Sequence, residues 1–243
     1  MGMAASTINR QENQPVFVLH TYPFKETSLV VELLTRDFGR VAAVAKGARR
    51  PRSAMRGMLQ SFQPLVGAWS GKAELKNLHS LEWGESLLLL KGEALMCGFY
   101  LNELMLRLLP REDEHALLFD YYGRTLRILA ANDDLPATLR RFELRMLQEM
   151  GYAVPLEHDE RGGEISGDRN YYYVAEHGPV SQQPAKQNGV QLSGKTLLDM
   201  AQDVYADAQT RQQSKQLMRF LLAHYLGDRP LHTRQLLMDL QEL

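Results

Sequence analysis

The sequence predicts an α+β protein of more than one domain, in which a small five-stranded β-barrel precedes a mostly α-helical domain. Three observations support this fold class. Short apolar runs with strand-like alternation, separated by turn residues, occupy residues 15–83, and beyond Gly84 the apolar residues recur with the helical period. The chain has 243 residues, of which 44% are apolar and 23% are charged, so it can bury a core in one large or two small domains.

Five predicted strands account for the first part of the chain. They cover residues 16–20, 29–35, 41–45, 64–69 and 75–83. An OB-type barrel fits this number and length of strands, and an SH3-like barrel fits nearly as well from the pattern alone. Residues 1–14 are polar and have no apolar core, so we expect a disordered tail there and not a signal peptide. Residues 15–83 are predicted to form the OB-fold domain.

The helical domain is predicted to span residues 84–243. Its helices are predicted at residues 94–109, 115–131, 137–150, 194–207, 210–226 and 231–241. The third helix is expected to end at Gly151, in a C-terminal capping position. An irregular insertion is predicted at about residues 153–192, with one strand-like run at Tyr171-Tyr172-Tyr173-Val174.

The single cysteine and the hydropathy pattern bear on location. Cys97 lies in an apolar run and cannot form an internal disulfide, so it is interpreted first as a small buried hydrophobic residue and second as a reactive thiol. One cysteine also excludes a thiolate-cluster zinc site. No apolar stretch reaches the roughly 18 residues of a membrane span, and we expect a cytoplasmic protein.

Charge is distributed unevenly along the chain. The formal net charge is −1, but residues 1–80 contain 11 Lys/Arg and 5 Asp/Glu, whereas residues 81–243 contain 17 and 24. The first part therefore carries +6 and the second −7. This asymmetry predicts an anionic partner for the basic part, which the near-zero total conceals.

Most of the positive charge of residues 1–80 lies in one stretch without acidic residues, between Asp37 and Glu74. Its seven cations are the candidate DNA-binding residues Arg40, Lys46, Arg49, Arg50, Arg52, Arg56 and Lys72. Five of them lie in residues 46–56 among Gly, Pro and Ser, which indicates an exposed loop whose cations can bind phosphates. The alternative is a solvated loop without a ligand. Several aromatic side chains of this part either stack on unpaired bases or fill the barrel core: Phe17, Tyr22, Phe24, Phe38, Phe62 and Trp69.

Residues 189–196, Gly-Val-Gln-Leu-Ser-Gly-Lys-Thr, match the phosphate-binding pattern G-x-x-x-x-G-K-[ST]. A nucleotide hydrolase that uses this loop is therefore an alternative function. Such a loop follows a buried parallel strand, but the preceding residues here are polar and contain Pro184. The preferred interpretation is that Ser193 caps the helix that follows.

Two predicted helices carry basic faces. In the third, Arg141 and Arg145 are four residues apart beside Phe142, and arginines that border an apolar groove suit a partner peptide with an acidic or carboxylate end. A core helix with surface arginines is the alternative. The fifth predicted helix carries a basic face that consists of Arg211, Lys215 and Arg219. This face is either solvated or a secondary DNA contact.

Three stretches resemble the RecO family of bacterial DNA repair proteins. They are Phe17-Val18-Leu19 through Glu26-Thr27-Ser28-Leu29, Gly39-Arg40-Val41 leading to Ala45-Lys46-Gly47-Ala48-Arg49, and Leu139-Arg140-Arg141-Phe142-Glu143-Leu144 ending in Leu147 and followed by Gly151-Tyr152. Their spacing extends the resemblance over almost the whole chain from about residue 15. The resemblance implies an N-terminal OB-fold and a C-terminal helical domain.

The resemblance also implies a recombination mediator without catalytic turnover and without a cofactor, acting in the cytoplasm at the nucleoid. RecO proteins bind single- and double-stranded DNA and anneal complementary strands. With RecR they help to load RecA onto strands coated with single-stranded-DNA-binding protein, whose acidic C-terminal tail they bind. A protein-interaction scaffold, whose basic loop binds an acidic protein surface, is a further alternative.

The resemblance assigns residues to these roles. Residues 46–56 correspond to the DNA-binding loop, and the tail of single-stranded-DNA-binding protein is expected at Arg140, Arg141, Phe142 and Arg145, with Arg140 or Arg141 meeting its terminal carboxylate. Many family members carry two pairs of cysteines after the Gly-Tyr, and these bind zinc. Residues 153–179 contain no cysteine, so we expect a member without the zinc site, whose insertion keeps its shape through packing or stays loose.

Overall fold

The computed structural model describes residues 9–84, 87–182, 188–227 and 230–233, and the chain divides into two compact units, the first ending at Ala131 and the second beginning at Asn132. The first unit contains β1 (Arg10–Phe24), β2 (Ser28–Thr35), β3 (Arg40–Ala45), a 3-10 helix (Ala54–Gly57), β4 (Leu65–Ser70), β5 (Leu75–Trp83), α1 (Gly92–Leu108) and α2 (Ala116–Ala131). The second contains α3 (Leu135–Glu149), β6 (Asn170–Val174), β7 (Gly178–Val180), β8 (Gly189–Ser193), α4 (Gly194–Ala201) and α5 (Ala208–Leu226). In these ranges no helix is both long enough and apolar enough to span a membrane.

The strands of the first unit form a closed barrel in the order β1-β2-β3-β5-β4, and β4 pairs back to β1. Neighbouring strands are antiparallel except for β3 and β5, which run parallel. Alternate residues of each strand fill the interior, among them Val18, Leu33, Val41, Trp69 and Leu81. The predicted five-stranded OB-type barrel followed by a helical part is confirmed.

β1 begins five residues before the predicted start of the barrel, so the predicted disordered tail, residues 1–14, is wrong in its last part. Arg10 and Gln11 pair with Ser70 and Trp69 of β4. The polar sequence conceals this strand because its backbone hydrogen bonds to β4 do not depend on apolar side chains. The first eight residues lie outside the described residues.

Helices α1 and α2 pack on the outer face of β1. The Phe17 ring contacts Phe119 and Tyr122 of α2, with ring centroids 5.1 Å apart in both pairs. At a bulge in β1 the Leu19 carbonyl accepts a hydrogen bond of 2.8 Å from Asn102 Nδ2 of α1. Tyr122 donates its hydroxyl to Asn102 Oδ1 at 2.5 Å, and burial raises the pKa of this tyrosine, so it stays a neutral donor. The helix pair therefore belongs to the same compact unit as the barrel.

Within the described part of the second unit, α3, α4 and α5 accompany an antiparallel sheet in the order β7-β6-β8. The sheet lies within the predicted irregular insertion, residues 153–192. The strand-like run forms β6 as predicted, β7 and β8 are strands that the prediction lacked, and the other described residues of this stretch are turns and loops. β7 has three residues, and β8 alternates only two apolar residues, Val190 and Leu192, with Gly, Gln and Ser, so both runs are too short to predict a strand. The last predicted helix, residues 231–241, lies almost entirely outside the described residues.

Capping sets the bounds of α3. Asp134 accepts a hydrogen bond of 3.3 Å from the Ala137 N–H, and α3 begins two residues earlier than predicted because its first turn tolerates a proline. At the other end Gly151 adopts a φ of +79°, and the N–H of Tyr152 donates to the Leu147 carbonyl at 2.9 Å. The predicted glycine cap is confirmed.

Candidate nucleic-acid interface

Two connections meet at one end of the barrel: the β1–β2 turn and the loop that follows β3. The strand register brings them together, because Leu29 at the start of β2 pairs with Ala45 at the end of β3. The loop is then attached to the turn by the N–H of Arg49, which donates to the Thr27 carbonyl at 2.9 Å. The loop is therefore held against the barrel at its beginning.

Six exposed cations gather at this end, which we call the cationic end: Lys25, Lys46, Arg49, Arg50, Arg52 and Arg56. Among the described residues none of the six has a carboxylate partner within ion-pair distance, although Glu26 lies in the same turn. Arg49 Nη1 donates to the Glu26 backbone carbonyl at 3.3 Å, which leaves its charge uncompensated. Such cations are surrounded by counter-ions in water and exchange them for phosphates of a nucleic acid.

The sequence reasoning missed Lys25. It lies in the β1–β2 turn at a φ of +53°, and its Nζ is 5.4 Å from the centroid of the Phe24 ring. Tyr22 stands on the same outer face of β1 as Phe24 and is 44% exposed. Of the aromatic candidates, Tyr22 is exposed, Phe24 and Phe38 are half-buried, and the others are buried: Phe17, Phe62 and Trp69.

The other two predicted DNA-binding residues lie at the opposite end of the barrel. Arg40 is the first residue of β3, and Lys72 lies in the turn between β4 and β5, next to Leu75, which pairs with the start of β3. The Arg40 guanidinium donates to Glu32 Oε2 at 2.9 Å and to the carbonyl of the residue after α1 at 3.0 Å. The structure therefore does not bring either residue to the cationic end, and Arg40 is occupied by internal contacts.

Glu32 is the centre of a buried charge cluster at this opposite end. Its side chain lies on the outer face of β2, where it is 2% exposed and contacts the guanidinium groups of Arg40 and Arg111. Arg111 also pairs with Glu74, and the Glu32 contact raises the pKa of Arg111. The cations of this cluster are neutralised by carboxylates, whereas those of the cationic end are not.

The segment between α1 and α2 covers the outer face of β2 and β3. The N–H of Glu112 donates to the Arg40 carbonyl at 3.0 Å, and Ala42 on this face is fully buried. A Cβ at Gly39 would lie 1.9 Å from the Asp113 carbonyl oxygen, so only glycine permits this approach. OB-type barrels use this face and its flanking loops to bind oligonucleotides. With the face covered here, the β1–β2 turn at the cationic end and the exposed β4–β5 turn at the opposite end remain accessible beside it.

Comparison with known proteins gives the family. The family model described as "Recombination protein O N terminal" matches residues 10–87, and that described as "Recombination protein O C terminal" matches residues 89–235. The chain belongs to the RecO family. It is 55% identical over 240 residues to the DNA repair protein RecO of Nitrosospira multiformis, which covers 96% of this chain and 98% of that relative. The proteins of the same name from Dechloromonas aromatica and Burkholderia pseudomallei are 49% and 50% identical, covering 97% and 96% of this chain and 98% and 86% of the relatives.

This RecO-family chain has no thiolates for a zinc site in residues 153–179. The tight turn in this stretch is closed by Asp159, whose Oδ1 accepts the N–H groups of Arg161 at 2.9 Å and Gly163 at 2.8 Å. A carboxylate that bonds to nearby backbone N–H groups stabilises a turn without a metal. The residues present therefore do not fit the cysteine-ligated zinc site that the resemblance implies for many family members.

Two of the RecO tail-binding candidates on α3 are partly exposed and ion-paired. Arg141 Nε binds Asp203 Oδ1 at 2.7 Å, and its guanidinium carbon lies 5.2 Å from the Tyr205 ring centroid. Arg145 binds Glu149 on the same helix at 2.6 Å. Asp203 is itself exposed, so the Arg141 pair lies at the surface.

The other two candidates on α3 are not surface groups. Phe142 is fully buried, so it is a core residue and the prediction that it contacts a partner is wrong. The Arg140 side chain is 11% exposed, and its Nη2 binds Glu143 Oε1 at 2.5 Å within the helix. Sequence spacing placed these residues on one helix but did not reveal which side of α3 faces the core.

The basic face of α5 is only partly open. Arg211 Nε donates to the Tyr205 carbonyl at 2.6 Å, and its Nη2 binds Asp134 at 3.3 Å. Arg211 therefore joins the segment before α5 to the start of α3. Lys215 and Arg219 are exposed on the same helix, one and two turns further on.

Residues 189–196 of this RecO chain form a strand–helix junction. β8 is antiparallel to β6, whereas a phosphate-binding loop follows a parallel strand. The N–H of Gly194 donates to the Arg169 carbonyl at 2.7 Å, and that of Thr196 donates to Ser193 Oγ at 3.1 Å. The predicted Ser193 cap is confirmed, and these N–H groups are already engaged by the protein.

The lysine of this junction is also engaged. Lys195 Nζ lies 2.5 Å from Asp199 and 3.7 Å from Asp207. Burial raises the pKa of Asp199, but the hydrogen bonds from Lys195 and Thr210 outweigh it, so the pKa lies below its ordinary value. These contacts fasten α4 to the start of α5.

Proposed function

We propose that this RecO-family DNA repair protein binds single- and double-stranded DNA through the cationic end. The observation that supports this most is the contrast between the two ends of the barrel. Arginines at the opposite end are paired with carboxylates, whereas six cations at the cationic end are exposed and have no such partner among the described residues. Contacts from flexible cations to phosphates do not depend on sequence, as a repair protein that acts anywhere on a chromosome requires.

A salt titration tests this proposal. The affinities for oligothymidine and for a duplex are measured by fluorescence anisotropy over a series of salt concentrations. The logarithm of the association constant is expected to fall linearly with the logarithm of the salt concentration, with a slope of about −0.7 per phosphate contact for the single strand, or about −4 if all six cations engage. No retention of DNA at moderate salt would favour a scaffold whose basic loop binds an acidic protein surface.

Strand annealing and RecA loading are proposed because the chain belongs to the RecO family. The protein anneals complementary strands and, with RecR, helps to load RecA onto strands coated with single-stranded-DNA-binding protein, in the cytoplasm at the nucleoid. Neutralised phosphates lower the repulsion between two strands, which supports annealing at a cationic surface. A fluorescence-quench assay on coated complementary strands is expected to show faster annealing with the protein. An unchanged rate would contradict this role.

The acidic tail of single-stranded-DNA-binding protein is proposed to bind at Arg141. Its present partner, Asp203, is exposed, so a carboxylate of the tail can take its place without desolvating a buried charge. The Tyr205 ring, which is itself buried, lies 5.2 Å from the guanidinium carbon and helps to hold the Arg141 side chain in place. Arg140 is a weaker candidate because it is buried against Glu143.

Substitutions of this ion pair have opposite expected effects on a tail peptide. Arg141→Ala should weaken binding about tenfold, the amount expected for one hydrogen bond to a charged group. Asp203→Ala should strengthen binding, because it removes the competing carboxylate. Arg161→Ala, at an exposed arginine of the same unit that also lies near a carboxylate, is the matched control and should leave the affinity unchanged. Calorimetric titration measures all three, and equal affinities of the Arg141 and Asp203 variants would remove this site.

We propose that the protein has no catalytic turnover and that Lys195 has a structural role. No binding or hydrolysis of Mg-ATP is expected, with or without DNA. Because Lys195 helps to hold the pKa of Asp199 low in the folded state, its contribution to stability is present above the ordinary carboxyl pKa of about 4 and is lost as the pH falls below it. Lys195→Ala should therefore lower stability at pH 7 and flatten its decrease in acid. Hydrolysis abolished by Lys195→Ala would contradict the proposal.

A further inference from the structure

The cationic end contains a cavity of about 300 Å³, which phosphate binding alone does not require. It lies between the start of β2 and the loop after β3, and it is lined by Leu29, Ala48, Arg49, Arg56 and Leu59. Its apolar members continue the barrel core, because Ala48 is 1% exposed and both leucines pack against the core cluster. Both arginines are exposed. The cavity thus combines an apolar floor with two guanidinium groups.

The loop holds the cavity open before any ligand arrives. The N–H of Arg49 is bonded to the Thr27 carbonyl at 2.9 Å, and its Nη1 to the Glu26 carbonyl at 3.3 Å, so one side of the cavity is anchored to the β1–β2 turn. Arg56 comes from the short 3-10 helix of the loop. Among the residues that the structure describes, no acidic side chain lines the cavity. A preformed site avoids the entropic cost of ordering a loop on binding.

This lining suits a group that has both a flat apolar face and a negative charge. A phosphate alone needs only the exposed cations nearby, and an apolar floor does not stabilise it. A nucleobase packs its face on aliphatic side chains and on the plane of a guanidinium group, while the phosphate of the same nucleotide pairs with the charge. The cavity volume is at the small end of ligand sites, which span about 300–1,000 Å³, so it holds one nucleoside at most.

We propose that this cavity holds one unstacked base of a single DNA strand, with the adjoining phosphate bound by Arg49 and Arg56. The proposal rests on the proposed DNA binding at the cationic end and adds a preference for unpaired strands. In a duplex the bases are stacked and paired, so a base can enter the cavity only after it has been unstacked and unpaired. The cavity therefore discriminates single strands from duplexes.

The test compares three ligands on the full chain at one salt concentration: oligothymidine, an abasic strand of the same length, and a duplex of the same length. The protein is expected to bind oligothymidine about tenfold more tightly than the abasic strand, since packing one base contributes on that order. Leu59→Trp fills the cavity and should lower the affinity for oligothymidine more than the affinity for the abasic strand or the duplex, so that the tenfold difference is lost. Leu59→Met, which conserves volume, should retain it.

A second variant does not depend on repacking the core. Arg56→Lys keeps the charge but loses the guanidinium plane, so it should lower the affinity for oligothymidine more than the affinity for the abasic strand and thereby reduce the ratio of the two. Equal affinity of the unmodified protein for oligothymidine and the abasic strand would overturn the base site while leaving DNA binding intact. Tyr22→Leu tests whether the base stacks on Tyr22 instead. If this variant loses the preference for oligothymidine, and Leu59→Trp and Arg56→Lys keep it, the base site in the cavity is also overturned. Failure to bind any of the three ligands would instead contradict the proposed function.

Discussion

Replacing Arg49, Arg50 and Arg52 together by alanine is expected to lower the affinity for single-stranded DNA about 100-fold at 0.1 M salt. Each phosphate contact on a single strand contributes about 0.7 to the slope of the salt dependence, which is about fivefold in affinity at that concentration. Three lost contacts should therefore also flatten the slope by about 2. Anisotropy titrations at several salt concentrations measure both quantities, and the loss should be the same for all sequences.

A variant with the same change of net charge shows whether the loss of DNA affinity comes from a local binding surface or from net charge alone. Arg10, Lys72 and Arg124 are exposed cations of the same unit that lie outside the cationic end. Their joint replacement by alanine removes the same charge, but charges more than about 10 Å from the DNA are largely screened at 0.1 M salt, so the affinity should change little. An equal loss in the two triple variants would mean that the whole barrel attracts DNA and that no defined interface exists at its end.

Replacing Glu32 by alanine is expected to lower the free energy of unfolding of the first unit by about 3 kcal/mol or more. Glu32 is 2% exposed between the guanidinium groups of Arg40 and Arg111. Its removal leaves two arginines, one of them with a side chain only 14% exposed, without the buried carboxylate that neutralises them. The segment between α1 and α2 would also lose its attachment to β2.

Glu74→Ala is the matched control for this prediction. Glu74 pairs with the same Arg111 but its side chain is 72% exposed, so the expected loss is at most about 1 kcal/mol. Urea unfolding followed by tryptophan fluorescence measures both variants, since Trp69 is buried in the barrel interior and reports its opening. Similar small losses in the two variants would show that the buried cluster does not hold the covering segment on the barrel.

Features encoded by short stretches of sequence were predictable. Ser193 and Gly151 act as the expected helix caps, because a cap depends on one side chain or one φ angle and on residues within a turn of it. The barrel strands were also found by local alternation. The first residues of β1 were missed because their strand character comes from pairing with β4, more than 50 residues away in the chain.

The candidate interface was predictable only in part, for the same reason. The acid-free loop is visible in the sequence, but its position depends on strand register. Register brings Lys25 of the β1–β2 turn to the loop and places Arg40 and Lys72 at the other end of the barrel. The pairing of Arg141 with Asp203, 62 residues later, likewise follows from packing and not from spacing.

Hydrogen–deuterium exchange with and without saturating oligothymidine tests most directly where DNA lies. Slower exchange is expected at the β1–β2 turn and in residues 46–59, because bound DNA shields the amides of the cationic end. The outer face of β2 and β3 and residues 109–113, which cover that face, should exchange at unchanged rates. Binding at the cationic end would be contradicted if residues 46–59 exchanged at an unchanged rate and the outer face of β2 and β3 exchanged more slowly. It would also be contradicted if residues 46–59 were unchanged and residues 109–113 exchanged faster because DNA displaced that segment.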